Sequence, residues 1–206
     1  MSLTLIVPPH CEPVRLSEAK IFLRIETNEE DELLGSLIRT ARQAVEACTA
    51  KSLICQSWEL KTSLAYCLSI SDDNYLTGHK SRGKRGLEIP RSPFIRLIEK
   101  PKLVNDYGTQ EISSYRLDTA GRVARMHFSK LHENVLYEQS IIQVQFEAGY
   151  GNTPENVPEP LRQAILMVVA ELYEKRVSLN DNQKAPPTLN FRAFELVKPY
   201  RAMRLF

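Results

Sequence analysis

The sequence predicts an α+β fold: a helical bundle of three main helices with a β-rich antiparallel insertion between the second helix and the last long one. Three observations carry this. Leu34, Leu37, Ile38, Ala41, Val45 and Cys48 recur at helical spacing across 29–51. Trp58, Leu60, Thr62 and Leu64, and later Ile142, Val144, Phe146 and Ala148, alternate with polar residues as half-buried strands do. Leu161, Ala164, Ile165, Val168, Val169, Leu172 and Tyr173 then return to one helical face. Leu166, Met167 and Ala170 widen that arc, so this helix must be covered on more than one side, by its own domain or by neighbouring copies.

The 206 residues suffice for one domain carrying a sizeable insertion. It divides into an N-terminal arm (1–13), helices (14–53), the β-rich insertion (55–150), the central helix (158–178), and a linker and C-terminal tail (179–206). Apolar residues are 43% and charged residues 25% of the chain, the balance of an ordinary globular protein. A net charge of +2 and a pI of about 8.3 fall short of a dedicated nucleic-acid-binding domain. The spacings of Cys11, Cys48, Cys55 and Cys67 make neither a CxxC pair nor a zinc set, which predicts reduced, structural cysteines. The opening MSLTLIVPP lacks the basic flank of a signal peptide. The apolar run from Ala164 to Ala170 is far below the roughly 20 residues of a membrane span, so a cytoplasmic chain without membrane contact is expected.

Taken in order, Pro8, Pro9 and Pro13 predict an extended arm without regular pairing. Arg15–Ile25 reads as a short helix with Ile21, Phe22 and Ile25 at helical spacing. Thr27 with Glu30 makes a capping-box pattern, and Glu29, Glu30, Asp31 and Glu32 place negative charge at the positive end of the second helix. Arg39, Arg42, Gln43 and Glu46 mark that helix's polar face. Residues 69–86, containing HKSRGKRG, read as a mobile loop. GLEIP is a short strand, and Phe94–Val104 a further strand interrupted at Pro101 and leading into the turn Asn105–Gly108. Tyr115–Thr119 and Arg122–Phe128 form a hairpin about Ala120-Gly121. In the tail FRAFELVKPYRAMRLF, Pro199 ends or kinks any short helix.

No HExxH, Walker loop, GxSxG or GxGxxG occurs. Gly149 and Gly151 read as turn glycines, because Pro158 and Pro160 remove amide donors where a phosphate would bind. A hydrolytic or metal site can be drawn from His127, His132, Asp118, Ser129 and Glu133, without a motif to support it. Lys80, Arg82, Lys84 and Arg85 form a basic run suited to DNA phosphates, to an acidic protein surface, or simply to solvent. Phe191, Phe194, Tyr200 and Phe206, interleaved with Arg201 and Arg204, make a terminus that either folds back on its own core or anchors a partner.

The succession VRLSEAKIFLRI, TNEEDELLGSLIRTARQAVEACT, QSWEL, YRLDTAGRV and FEAGYG…VPEPLRQAILMVVAELYEKR resembles the head-tail connector, or adaptor, family of tailed bacteriophages, prophages and gene transfer agents. The resemblance runs from about Leu5 to Arg204 and rests on structural motifs, so it implies a non-enzymatic virion protein without catalytic, cofactor or metal residues. It implies a ring, dodecameric in the virion, that sits under the portal protein, extends the DNA channel and docks the stopper or tail-completion protein. Assembly in the bacterial host cytoplasm and residence at the virion head-tail junction follow from it. DNA would slide through such a channel without sequence specificity, which near-neutral charge suits. The tail from about Phe191 is expected to contact the portal or an adjacent subunit and to be separable from the folded domain. The rival reading is a DNA-binding protein of a phage packaging or regulatory system that uses the basic loop 80–85.

Overall fold

The structure is a computed structural model that describes residues 1–71, 86–128, 140–175 and 189–201. Among these it is α+β, with nine strands and five α-helices. They form two compact units: a β unit of Met1–Pro8 and Gln56–Gly149, and a helical unit of Pro9–Cys55 and Tyr150–Phe206. The insertion expected at 55–150 is thus a body of its own, joined by the first residues of the chain.

In the β unit, β2 (Gln56–Ser63) pairs antiparallel with β9 (Ile141–Ala148) along their full lengths, Gln56 opposite Ala148 and Ser63 opposite Ile141. Trp58, Leu60, Ile142, Val144, Phe146 and Ala148 point to one side and are buried, as the alternation predicts. The arm reading of the N-terminus needs correction. Ser2–Val7 is a strand, β1, paired with β2 so that Leu5 faces Trp58. The prolines do stop regular pairing, but only from Pro8 onward, and the residues before them are good strand formers.

On the far side of β9 lie β4 (Phe94–Leu97) and β5 (Lys102–Asn105), consecutive along the same partner. The gap between them contains Pro101, which has no N–H to give to a ladder. β5 turns at Gly108 (φ +137°) into β6 (Gly108–Glu111), a hairpin partner that the sequence reading missed. β3 (Leu87–Glu88), β8 (Arg125–Phe128) and β7 (Tyr115–Asp118) form a separate three-stranded sheet in the order β3-β8-β7. This contains the expected hairpin, although β8 begins at Arg125 and not at Arg122. Leu87 and Met126 from this sheet join the core beneath β2 and β9, where the Phe94 and Phe146 rings stack 6.4 Å apart.

Leu64–Ser71 is helix α3, where a strand end and then a loop were expected. Leu64 and Cys67 are both buried at i, i+3, which is helical spacing, so the last inward residue of the alternating run is also the first of a helical face. Burial pushes the Cys67 thiol up to about 12, which makes it an inert packing group.

In the helical unit, α1 (Leu16–Leu23), α2 (Asp31–Thr49), α4 (Glu159–Lys175) and α5 (Phe191–Val197) pack together, four helices where three main ones were expected. Ile38, Ala41 and Val45 of α2 meet Leu161, Ala164, Ile165, Val168 and Val169 of α4 in one core. Leu166, Met167 and Leu172 are partly buried against it, so part of the wide arc of α4 is covered within the unit. Two local readings differ from the structure. The Thr27 capping box does not form: α2 starts after Glu30, whose carboxylate instead accepts from the Tyr173 hydroxyl. Ile21 and Phe22 are on the outside of α1, which buries Ala19 instead.

Candidate assembly surface

The segment 146–176 joins both units. Gly149 and Gly151 have φ of +151° and +157°, a region that favours glycine. A Cβ on Gly151 would lie 2.8 Å from Asn156 Cβ, well inside contact distance. Around this turn Tyr150 N–H donates to Leu53 O at 3.2 Å and Cys55 N–H to Gly151 O at 2.9 Å. The glycines therefore lock two backbone segments together, as the turn reading predicts.

Arg162, at the start of α4, ties the N-terminal part of the helical unit to it. Its Nε donates to Pro13 O at 3.1 Å, Nη2 to Glu18 at 2.6 Å and Nη1 to Glu159 at 2.8 Å. Glu18 also accepts from the Arg15 N–H at 3.1 Å, so one carboxylate starts α1 and anchors it to α4. Arg42 and Glu46, assigned to the polar face of α2, are buried. Arg42 donates to Glu12 and to Glu46 at 2.8 Å each, and Glu46 accepts from the Leu53 N–H at 2.9 Å. Desolvation raises the Glu12 pKa, and Arg42 acts against it. Their i, i+4 spacing was the available sequence signal, but it fits an exposed pair equally well.

The tail is partly core. Asn190 Oδ1 accepts from Ala193 N–H at 2.8 Å and starts α5, which buries Ala193 and Val197. Val197 is the last α-helical residue, and Lys198–Tyr200 continue as one 3-10 turn with Pro199 inside, as expected. Tyr200 is partly buried against the core and Phe194 lies under the Arg201 guanidinium at 5.3 Å, whereas Phe191 is 77% exposed. Arg204 and Phe206 lie outside the described residues, as do Lys80, Arg82, Lys84 and Arg85 of the basic run.

Of the residues considered for hydrolysis or metal binding, Asp118 and His127 are described. Asp118 Oδ1 accepts from Ala120 N–H at 3.1 Å, an Asx-type turn in the hairpin. His127 lies on β8 opposite Arg116, against Gly86. His132, Ser129 and Glu133 are outside the described residues. Among those described, no three His, Cys, Asp or Glu converge as metal ligands, and no helix is long and apolar enough to cross a membrane.

Residues 13–78, which span α1, α2, β2 and α3, match the family of Phage gp6-like head-tail connector proteins. The family read from the sequence is the family that matches. The connector match covers about the first third of the chain, and structural likeness covers the rest. A chain from the "Virion of native gene transfer agent (GTA) particle" aligns with a TM-score of 0.72 at 22% identity, covering 100% of this chain and 98% of that one. A chain from the "Neck of empty GTA particle computed with C6 symmetry" gives 0.71 at 22%, with the same coverage. One from the "Neck of native GTA particle computed with C12 symmetry" gives 0.64 at 21%, again with the same coverage. The fold of these particle chains is therefore shared along the whole length of this chain. No curated protein matches the chain.

Proposed function

We propose that this protein is a structural, non-enzymatic head-tail connector of a phage-type particle. It assembles as a ring, dodecameric in the virion, beneath the portal protein. The ring extends the DNA channel and docks the stopper or tail-completion protein. The observation that carries this reading is the likeness of the whole chain, at a TM-score of 0.72, to a chain of a gene transfer agent virion, combined with the connector-family match over 13–78. Assembly takes place in the host cytoplasm and the product sits at the head-tail junction. The helical unit forms the ring body, and the tail from Phe191, including Phe194, Tyr200, Arg201, Arg204 and Phe206, contacts the portal or a neighbouring subunit.

Electron microscopy of the full chain mixed with its cognate portal tests the reading: a new ring of density below the portal is expected, and its absence overturns it. DNA passes through without being held, so binding to duplex DNA at physiological salt is expected to be weak. Tight binding lost steeply with salt would favour instead a DNA-binding protein working through Lys80, Arg82, Lys84 and Arg85.

A further inference from the structure

Among the described residues, two exposed surfaces of the helical unit complement each other. The first is the corner between α1 and α2. Lys20 Nζ holds it together by donating to Asn28 Oδ1 at 2.6 Å and to Asp31 Oδ1 at 2.8 Å. On this corner Ile21 is 78%, Phe22 41% and Leu33 36% exposed. Glu26, Glu29 and Glu32 lie in the same stretch of chain, all exposed and none with an ion-pair or hydrogen-bond partner among the described residues, with Arg24 the exposed cation between α1 and α2. The second surface is the outer side of α5 and the turn after it. There Phe191 is 77% exposed beside Arg192, Lys198 and Arg201, with Glu195 the one acid, held by Lys198 at 3.4 Å.

Large apolar side chains left in water are unfavourable relative to burial, and a helix that turns Ile21 and Phe22 outward while burying an alanine has its apolar face on the wrong side for an isolated chain. The two surfaces differ in sign and sit on different helices. Matching them joins two copies head to tail, a heterologous contact that repeats and closes into a ring when the rotation permits. An isologous dimer would instead put acid against acid or base against base.

We propose that the α5 surface of one copy, led by Phe191 and Arg192, docks on the acidic, apolar α1–α2 corner of the next copy, with Phe191 packing between Ile21 and Phe22. The proposal rests on the connector reading for its biological setting and is tested separately from it. Because every residue involved is exposed, the variants Phe22→Asp and Phe191→Asp are expected to keep the melting temperature of the parent chain. Sedimentation velocity of the full chain is expected to show concentration-dependent self-association that weakens with added salt. Each Asp variant should weaken it by about tenfold or more. Glu29→Arg alone and Arg192→Glu alone should weaken it likewise, and the two reversals combined in one chain should restore it.

Unchanged association in the Asp variants, no rescue in the double reversal, or a parent chain still monomeric at about 1 mM overturns the contact. A ring that forms on the portal with Phe191→Asp as it does with the parent also removes this contact while leaving the connector function intact. Self-association through these surfaces without any ring on the portal leaves the contact and removes the function.

Discussion

At the scale of single residues, the buried cluster of Glu12, Arg42 and Glu46 is the most consequential feature that a helical wheel would place in solvent. Arg42 is 6% and Glu46 5% exposed, and their charges are tolerated because each is met by a partner. Removing one member strands the rest. Glu46→Ala leaves Arg42 with one carboxylate and the Leu53 amide with none, and is expected to cost about 3–5 kcal/mol in chemical denaturation. Thr62 shows the opposite case. Its hydroxyl is buried in the apolar side of β2 with no hydrogen-bond partner among the described residues. Thr62→Val keeps the shape and removes the orphan oxygen, so the same measurement should show a gain of about 1 kcal/mol. Neither outcome is legible in the sequence. Thr62 fits the inward alternation, but only the surrounding packing shows that its hydroxyl bonds to nothing.

At the scale of elements, periodicity located the long ones well. α2, α4, β2 and β9 stand where the 3.6- and 2-residue patterns put them, because each has enough turns or alternations to average out local noise. Short elements depart from their pattern where two patterns share a residue, as at Leu64, or where prolines govern less of the chain before them than expected, as Pro8, Pro9 and Pro13 do at Ser2–Val7. The tail shows the cost of such ambiguity. Its aromatics and arginines look like a detachable anchor, yet Ala193 and Val197 are wholly buried against the core of α2 and α4. Truncation before Phe191 therefore removes core as well as surface. The shortened chain is expected to lose about 2–5 kcal/mol, read as a lower melting temperature. Point changes at Phe191 or Arg192 are the cleaner probe of contact. The acceptor corner on α1 was present in the sequence as Ile21 and Phe22, but spacing alone cannot distinguish an inward from an outward apolar face.

At the scale of the molecule, the two units are expected to respond differently to acid. In the β unit, Glu59 is held below the usual carboxylate range, chiefly by its hydrogen bond with Lys61, and Glu147 chiefly by its hydrogen bond with Arg96. A carboxylate lowered on folding contributes stability that is present above its unfolded pKa, near 4.5, and is lost as pH falls through the folded value. Glu12 in the helical unit is raised, mainly by burial, so its effect runs the other way: it opposes folding as pH rises through 4.5 toward its folded pKa and ceases to do so in acid. Glu155 in that unit is also lowered, first by a backbone hydrogen bond, but its side chain is exposed and water screens it. Acid should therefore loosen the β unit first. The chain's single tryptophan, Trp58, lies in β2, so its fluorescence reports that unit alone. On acid titration below about pH 4.5 its emission should change at a higher pH than the far-UV helical signal. Coincident transitions would show that the two units lose structure as one.

The interleaving of the two units also sets an order of birth on the ribosome. α2 leaves the ribosome early, with Ile38, Ala41 and Val45 needing α4 to cover them. Between Thr49 and Glu159 the whole of the insertion must be made first. At roughly 5–20 residues per second, those roughly 110 residues hold the apolar face of α2 open for on the order of ten seconds. The β unit, complete once Ala148 has emerged, is finished before the helical unit that began ahead of it. A nascent chain stalled within the insertion thus carries an uncovered helix, and that interval is where a chaperone has most to bind.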